Sequence, residues 1–341
     1  MIYLFQMNTY ITFDYELFLG TETGTVESCL LEPVRKFVSL SEEFGGQVKF
    51  VFFVDSLYLL KLREYSIEST ELQQDYDGIV RQLRNLTDKG HDVQLHLHPQ
   101  WFYSTYDYQS KRWLLDFEHY KLSDCSLDDV ETMLHDSICL LEEIVGYKPT
   151  AFRAGGYSYP NEQRYIKLFE KYNILQDSSV RVGASAEGKY QTYDYTEVRS
   201  FSSYRFSDDI VKENNLGIFT EFPITVIQIN PIRYFLKTLY ARRKYQSELK
   251  ISGDGKGVGA TLPRSRQITD RILRLFKPVL MSASVDLTNV QWLDEAFKVA
   301  TESKSDTFVI IGHPKNCTNY SLMCFRNFLK SHQLKYNTFH Q

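Results

Sequence analysis

A chain of 341 residues, 43% hydrophobic and 24% charged, can bury a large core, which excludes disordered, collagen-like and coiled-coil classes. Its 39 Lys and Arg against 43 Asp and Glu give a formal charge of −4, which argues against a globally basic nucleic-acid binder. The five cysteines (Cys29, Cys125, Cys139, Cys317 and Cys324) never fall as CxxC, so neither a disulfide framework nor a cysteine zinc site is signalled. The opening MIYLFQMNTYITFDYE lacks a basic leader, and the richest apolar run, 48–60, is interrupted by Lys49 and Asp55. A cytoplasmic protein without a membrane span is therefore expected.

Strand and helix signals alternate along the chain. Residues 3–13 read as a first strand, and 26–44 as a helix stopped by Gly45 and Gly46. A second strand is expected over 48–54, helices over 56–65 and 75–89, and a third strand over 92–97. A helix over 127–145 ends at Gly146, followed by a short strand at 151–153 and a helix at 162–172. Strands at 218–229 and 279–285, a helix at 290–301, a strand at 307–311 and a helix at 321–332 complete the pattern. Such alternation predicts a parallel α/β fold with functional residues at the C-terminal ends of strands.

Two of those strand ends carry metal-competent pairs at i and i+2. The first closes with Asp14 and Glu16, the third with His96 and His98 before Pro99. Side chains alternate faces along a strand, so each pair points one way, and two carboxylates with two imidazoles suit a divalent metal, zinc by preference. A rim histidine pair bonded to backbone is the alternative for the His-x-His alone. Another strand ends in Phe152-Arg153-Ala154-Gly155-Gly156-Tyr157, where Arg153 can clamp a carboxylate and keep it ionised. The last strand releases His313 in Gly312-His313-Pro314.

These pieces resemble the polysaccharide deacetylase superfamily (NodB homology, carbohydrate esterase family 4), closest to a divergent branch from lipopolysaccharide and capsule biosynthesis clusters. The matching runs are ITFDYE, VKFVFFVDSLYLL, GHDVQLHLHPQW, FRAGGYSYPNEQRYIKLFEKYNILQDSSV, TEFP and VIIGHP, in family order over most of 9–315. The resemblance implies a distorted (β/α) barrel in a single domain over 1–341, and metal-dependent removal of an acetyl group from an N-acetylated sugar. It implies Asp14 as catalytic base, Glu16 and His96 as metal ligands, Arg153 as the residue orienting the base, and His313 as general acid. Asp177 matches a family aspartate near the site. The family's usual second histidine lies four residues after the first, where this chain has Gln100. His98, on the same strand face as His96, is the candidate third ligand. Hydrolysis of a non-sugar amide or imide on the same barrel, and a catalytically silent glycan-binding barrel, are the alternatives.

Two stretches break the pattern. The aromatic loop 101–120 follows the proposed ligands directly and either lines a saccharide subsite or forms a satellite hydrophobic cluster. Trp101 and Tyr103, with Tyr157 beyond, are its candidate substrate contacts. The segment 231–277 holds 12 Lys and Arg against three acids. It reads either as a basic helical insertion facing anionic lipid headgroups or a lipid-linked glycan at the inner membrane face, or as a solvated basic face. Nucleic acid is not an expected partner.

Overall fold

The computed structural model describes residues 7–257 and 278–340. Fifteen strands run in chain order: β1 Asn8–Tyr15, β2 Val51–Asp55, β3 Asp92–Leu97, β4 Thr105–Asp107, β5 Arg112–Leu114, β6 Ala151–Ala154, β7 Gln176–Asp177, β8 Ser185–Glu187, β9 Thr192–Asp194, β10 Tyr204–Phe206, β11 Phe219–Glu221, β12 Val226–Ile229, β13 Val279–Ser282, β14 Thr307–Gly312 and β15 Lys335–Tyr336. The main sheet has the order β10-β11-β7-β6-β3-β2-β1-β14, with β15 added to β1. Every pairing along it is parallel except β10 with β11. The fold is thus mixed α/β with a curled, half-barrel sheet.

The gap between β11 and β14 is spanned by chain on either side of the antiparallel β12/β13 pair. The Thr225 N–H donates to Val309 O (3.2 Å), Ala283 N–H to Thr225 O (2.7 Å) and Ile311 N–H to Ala283 O (2.9 Å). Ser284 also bridges Ile311 in parallel. The expected strand over 218–229 is therefore two strands, interrupted at Phe222-Pro223, because Pro223 has no N–H for the ladder.

The helices are α1 Glu32–Glu43, α2 Ser56–Ser66, α3 Thr70–Asp88, α4 Leu127–Val145, α5 Gln163–Lys171, α6 Pro231–Lys244, α7 Leu293–Glu302 and α8 Asn319–Ser331. A five-residue π turn, Glu27–Leu31, precedes α1. The third helix starts earlier than periodicity suggests because Ser69 caps it, its side chain accepting from Leu72 N–H. Gly146, at φ 83°, closes α4 in the left-handed conformation expected of a glycine C-cap.

The two sheet faces differ in content. Outward residues such as Phe13, Phe50, Phe52, Val54, Val93, Leu95, Leu97 and Phe152 join the helices in one continuous core. On the inner face, Tyr10, Val51, Phe53, Ala151, Val309 and Ile311 form a separate apolar plug with Ile224 and Phe339. The period of two then forces polar residues onto the same inner face further along each strand: Thr12, Asp14, Asp55, Gln94, His96 and Arg153, all buried. A dry plug below and a polar floor above is the layout that seats a reaction centre at the C-terminal strand ends.

Of the segment 231–277, the first helix is α6, carrying Arg233, Lys237, Arg242, Arg243 and Lys244. Residues 258–277 lie outside the described residues, so the basic insertion as a unit is not shown. Likewise the expected first strand falls within them only from Met7 onward, and β1 runs from Asn8 on to Tyr15.

Candidate active site

Neighbouring parallel strands bring the four strand ends together. The register places Asp55 beside His96 and His96 beside Arg153, and Phe13 beside Gly312. Glu16 Oε2 lies 3.2 Å from His96 Nε2 and 3.2 Å from His98 Nδ1. These three residues form the one cluster among the described residues whose ligand atoms could hold a metal ion together. The two imidazoles stand perpendicular, ring centroids 4.5 Å apart. Donors about 3.0–3.4 Å apart are the spacing that bonds of about 2.0–2.1 Å to one ion produce.

His96 and Glu16 are each oriented by a second group, while Asp55 faces the same His98 nitrogen that Glu16 does. His96 Nδ1–H donates to the Arg153 carbonyl (2.7 Å), which leaves Nε2 as the lone-pair nitrogen facing Glu16. His98 Nδ1 is 3.1 Å from Asp55 Oδ2, while Asp55 Oδ1 is buried without a hydrogen-bond partner. The buried Lys315 ammonium donates to Glu16 Oε1 (2.8 Å) and to Leu17 O (2.6 Å), so one carboxylate oxygen is occupied and Oε2 is turned to the histidines.

Beside this cluster sits Asp14, held by Arg153 Nη1 at 2.7 Å. Arg153 is fully buried, fixed through Nε to Ser178 O (2.7 Å) and through Nη2 to Ser178 Oγ (2.9 Å), with its guanidinium over the Phe53 ring. Burial alone would raise the Asp14 carboxyl, but Arg153, His96 and His313 outweigh it and hold it below the ordinary value. Glu16 is likewise pushed up by burial and pulled well below the ordinary range by Lys315 and the histidines.

His313 faces the same space, its Nε2 3.6 Å from Asp14 Oδ2. Asp286 grips it twice, accepting from the backbone N–H (2.8 Å) and from Nδ1 (2.7 Å). Burial lowers its affinity for a proton, yet Asp286, Asp14 and Glu16 together raise it to about 9, so the ring is cationic at neutral pH. Four buried carboxylates, Asp14, Glu16, Asp55 and Asp286, thus meet three cations, Arg153, Lys315 and the protonated His313, which leaves one negative charge unmatched among these groups. That excess of negative charge fits a bound cation.

Two adjacent cavities open here. One of about 200 Å³ is lined by Asp14, Glu16, His96, His98, Gln100 and His313, with Tyr120, Tyr157 and Tyr190 around them. The other, about 590 Å³, shares Tyr157 and His313 with it. Tyr157 holds φ +61°, an uncommon conformation for an aromatic residue, directly after Gly156 at φ +58°.

The fold has counterparts among solved structures. A putative polysaccharide deacetylase from Mycobacterium smegmatis superposes with a TM-score of 0.51 at 13% identity, covering 97% of this chain and 86% of that one. A GH57 branching enzyme from Thermococcus kodakaraensis also gives 0.51, at 9% identity, covering 98% of this chain and 70% of that one. The chain shares their fold. No family model matches the sequence, and no curated protein matches it either.

The sequence-derived residues separate into two groups on this scaffold. Asp14, Glu16, His96, His98, Arg153, Tyr157 and His313 converge, and Gln100 joins them with its Oε1 buried and unpartnered. Asp177 lies one strand away, accepting from Ser179 N–H (2.7 Å) and Ser179 Oγ (3.1 Å). It is buried against Glu221; burial raises Asp177 to about 6 although the hydrogen bonds from Glu221 and Ser179 oppose it, while burial and the neighbouring Asp177 together raise Glu221 well above the ordinary value, so the pair shares a proton. Ser178 sits between this pair and Arg153, so Asp177 reaches the centre only through neighbours.

Trp101 and Tyr103 turn away from the cavities. Trp101 is fully buried against Tyr58 and Trp113, because the 3-10 turn Pro99–Trp101 rotates it into the core. Tyr103 stacks on His119 and donates to Asp129 (2.8 Å). Much of the aromatic loop is the β4/β5 hairpin packed on α2 against the main core, while Tyr120 at its end lines the small cavity. Sequence reasoning did not single out Asp55, Asp286 or Lys315. The first two also terminate strand-like runs, VFFVD and VLMSASVD, so the strand-end rule could have found them.

Proposed function

We propose that the chain is a metal-dependent hydrolase that removes the acetyl group of an N-acetylated sugar. The observation that carries this is the Glu16–His96–His98 cluster set between a carboxylate locked to a buried arginine and a histidine locked to a buried aspartate. Mixed nitrogen and oxygen donors favour zinc among divalent ions. When bound, such an ion supplies Lewis-acid polarisation of the amide carbonyl and a water of lowered pKa.

The protein's own groups do the rest. Asp14, kept ionised by Arg153, takes a proton from the attacking water as oxygen adds to the carbonyl carbon. His313, protonated at neutral pH, gives its proton to the departing nitrogen as the C–N bond breaks, and Asp286 stabilises the ring throughout. Acetate and a free amino sugar leave. The 200 Å³ cavity suits the small acyl group, and the larger one beyond His313 lies on the amine side, where the sugar must sit. Gln100 offers a desolvated amide to the acyl end.

The placement of α6 supports an envelope-polysaccharide precursor, at the membrane face of the cytoplasm, as substrate. Its Tyr234 lines the larger cavity, while Ile232, Phe235, Leu236 and Tyr240 are exposed beside its basic residues. That mixture suits a helix lying on anionic lipid. No helix among the described residues is long and apolar enough to cross a membrane.

The deciding experiment strips the purified protein with a chelator, reloads it with zinc, manganese or cobalt, and measures acetate release from N-acetylated oligosaccharides alongside cleavage of small cyclic amides. Metal-restored acetate release is expected. Turnover of the cyclic amides alone would move the chain to the amidase reading, and metal binding without turnover of any substrate would leave a glycan-binding barrel.

A further inference from the structure

The larger cavity contains one charged group with no role in the reaction above. Arg181 lines it, 5.1 Å from the Tyr157 ring centroid, with Nη1 donating to Tyr193 Oη (2.8 Å) and Nε to Ser282 Oγ (3.2 Å). All three partners are neutral, and no carboxylate among the described residues comes within ion-pair distance of it. Elsewhere in the site the cations are matched: Arg153 to Asp14, Lys315 to Glu16, His313 to Asp286. A partly buried guanidinium fixed by neutral groups at a cavity wall is preorganised for an anion, since its remaining N–H groups have no acceptor and its positions are already set.

The place of this group defines what it meets. At about 590 Å³ the cavity falls in the range of small-molecule sites. Tyr157 and His313 separate it from the acyl-sized cavity, so its occupant is the amine-bearing part of the substrate. Ser185, Ser282 and Asn289 add neutral hydroxyl and amide groups to its wall, as a sugar ring requires.

We propose that Arg181 is a specificity-determining residue and that the substrate is an acidic N-acetylated saccharide, whose carboxylate or phosphate docks on it. This rests on the deacetylase reading for the direction of the substrate, but the binding it requires can be measured without turnover.

The test uses the full chain carrying Asp14→Asn, loaded with zinc, and titrates it calorimetrically with three probes: N-acetylglucosamine, N-acetylglucosaminuronic acid and N-acetylglucosamine 6-phosphate. A charge-assisted contact predicts that at least one acidic probe binds about tenfold or more tightly than the neutral one, which of the two identifying the anion. Arg181→Gln keeps an amide donor near the Nε position while removing the charge, and is expected to abolish the preference for the acidic probes. Circular dichroism melting controls for folding. Equal affinity for all three probes, absence of binding by both acidic probes at millimolar concentration, or a preference that survives in Arg181→Gln would overturn the proposal. A charge preference in a wild-type protein that releases no acetate would retain Arg181 and reject the deacetylase reading. Acetate release indifferent to charge would do the opposite.

Discussion

Arg153 serves His96 with its backbone and Asp14 with its side chain: the carbonyl accepts His96 Nδ1–H at 2.7 Å and the guanidinium holds Asp14 Oδ1 at 2.7 Å. One residue of β6 thereby sets both the tautomer of a proposed metal ligand and the charge of the proposed base. The two functions are separable because only one depends on the side chain.

Arg153→Met should therefore retain the His96 contact and much of the metal affinity while losing the acid–base chemistry. It leaves Asp14 buried without its cation, so its carboxyl should rise as burial is no longer outweighed. Removing one partner of a buried pair costs about 3–5 kcal/mol of stability. Expected are zinc near stoichiometric by elemental analysis, a lowered melting temperature, and acetate release reduced about 100-fold or more at neutral pH. Loss of zinc with activity would show that Arg153 acts through the metal site instead.

Asp14→Asn keeps the shape and a hydrogen-bond acceptor for Arg153 but removes the base. It is expected to bind zinc as the wild type does and to lose about two to four orders of magnitude in acetate release. Wild-type turnover by this variant would remove Asp14 from the role of base.

Why these residues were legible in the sequence and others were not follows from strand geometry. Asp14 with Glu16, and His96 with His98, announce a shared face through their i, i+2 spacing, and inner-face alternation from Tyr10 and Gln94 leads to them. Asp55 and Asp286 obey the same rule, but each is a single acid closing an apolar run, a pattern that surface turns also produce. Lys315 reads as solvated from sequence, and only its descent onto Glu16 gives it meaning. The opposite error concerns Trp101: adjacency to His98 along the chain carries no information about direction, and one 3-10 turn sends it to the core. The strand break at Pro223 was written in the residue itself, yet the flanking apolar run masked it.

The choice of third ligand can be tested by packing as well as by deletion. His98→Ala should lose tightly bound metal, whereas Gln100→Ala should retain it. A Cβ on Gly155 would stand 2.6 Å from His98 Cδ2 and 2.6 Å from the Leu97 carbonyl oxygen, far too close for either to ignore. Gly155→Ala is thus expected to displace the His98 ring and weaken zinc binding by about tenfold or more without touching a ligand atom. Asp55→Asn, which keeps the shape but not the charge beside His98 Nδ1, should weaken it by about 10–100-fold. Chelator competition measures all four, and metal loss in Gln100→Ala with retention in His98→Ala would restore the usual family spacing.

The pH dependence follows from His313. Its folded-state value is raised from 6.5 to about 9, with burial opposing and Asp286, Asp14 and Glu16 prevailing. A raised value means that the folded state holds the proton more tightly than the unfolded chain. The stability this contributes is complete below pH about 6.5 and is lost as pH rises through about 9. The same proton is the one given to the leaving nitrogen, so acetate release should fall on the alkaline side as His313 deprotonates. Asp286→Asn removes the principal charge behind the raised value, and should shift both the alkaline limb of the rate profile and the His313 titration followed by NMR in metal-free protein toward lower pH. An alkaline limb unmoved by Asp286→Asn would assign that limb to a group other than His313.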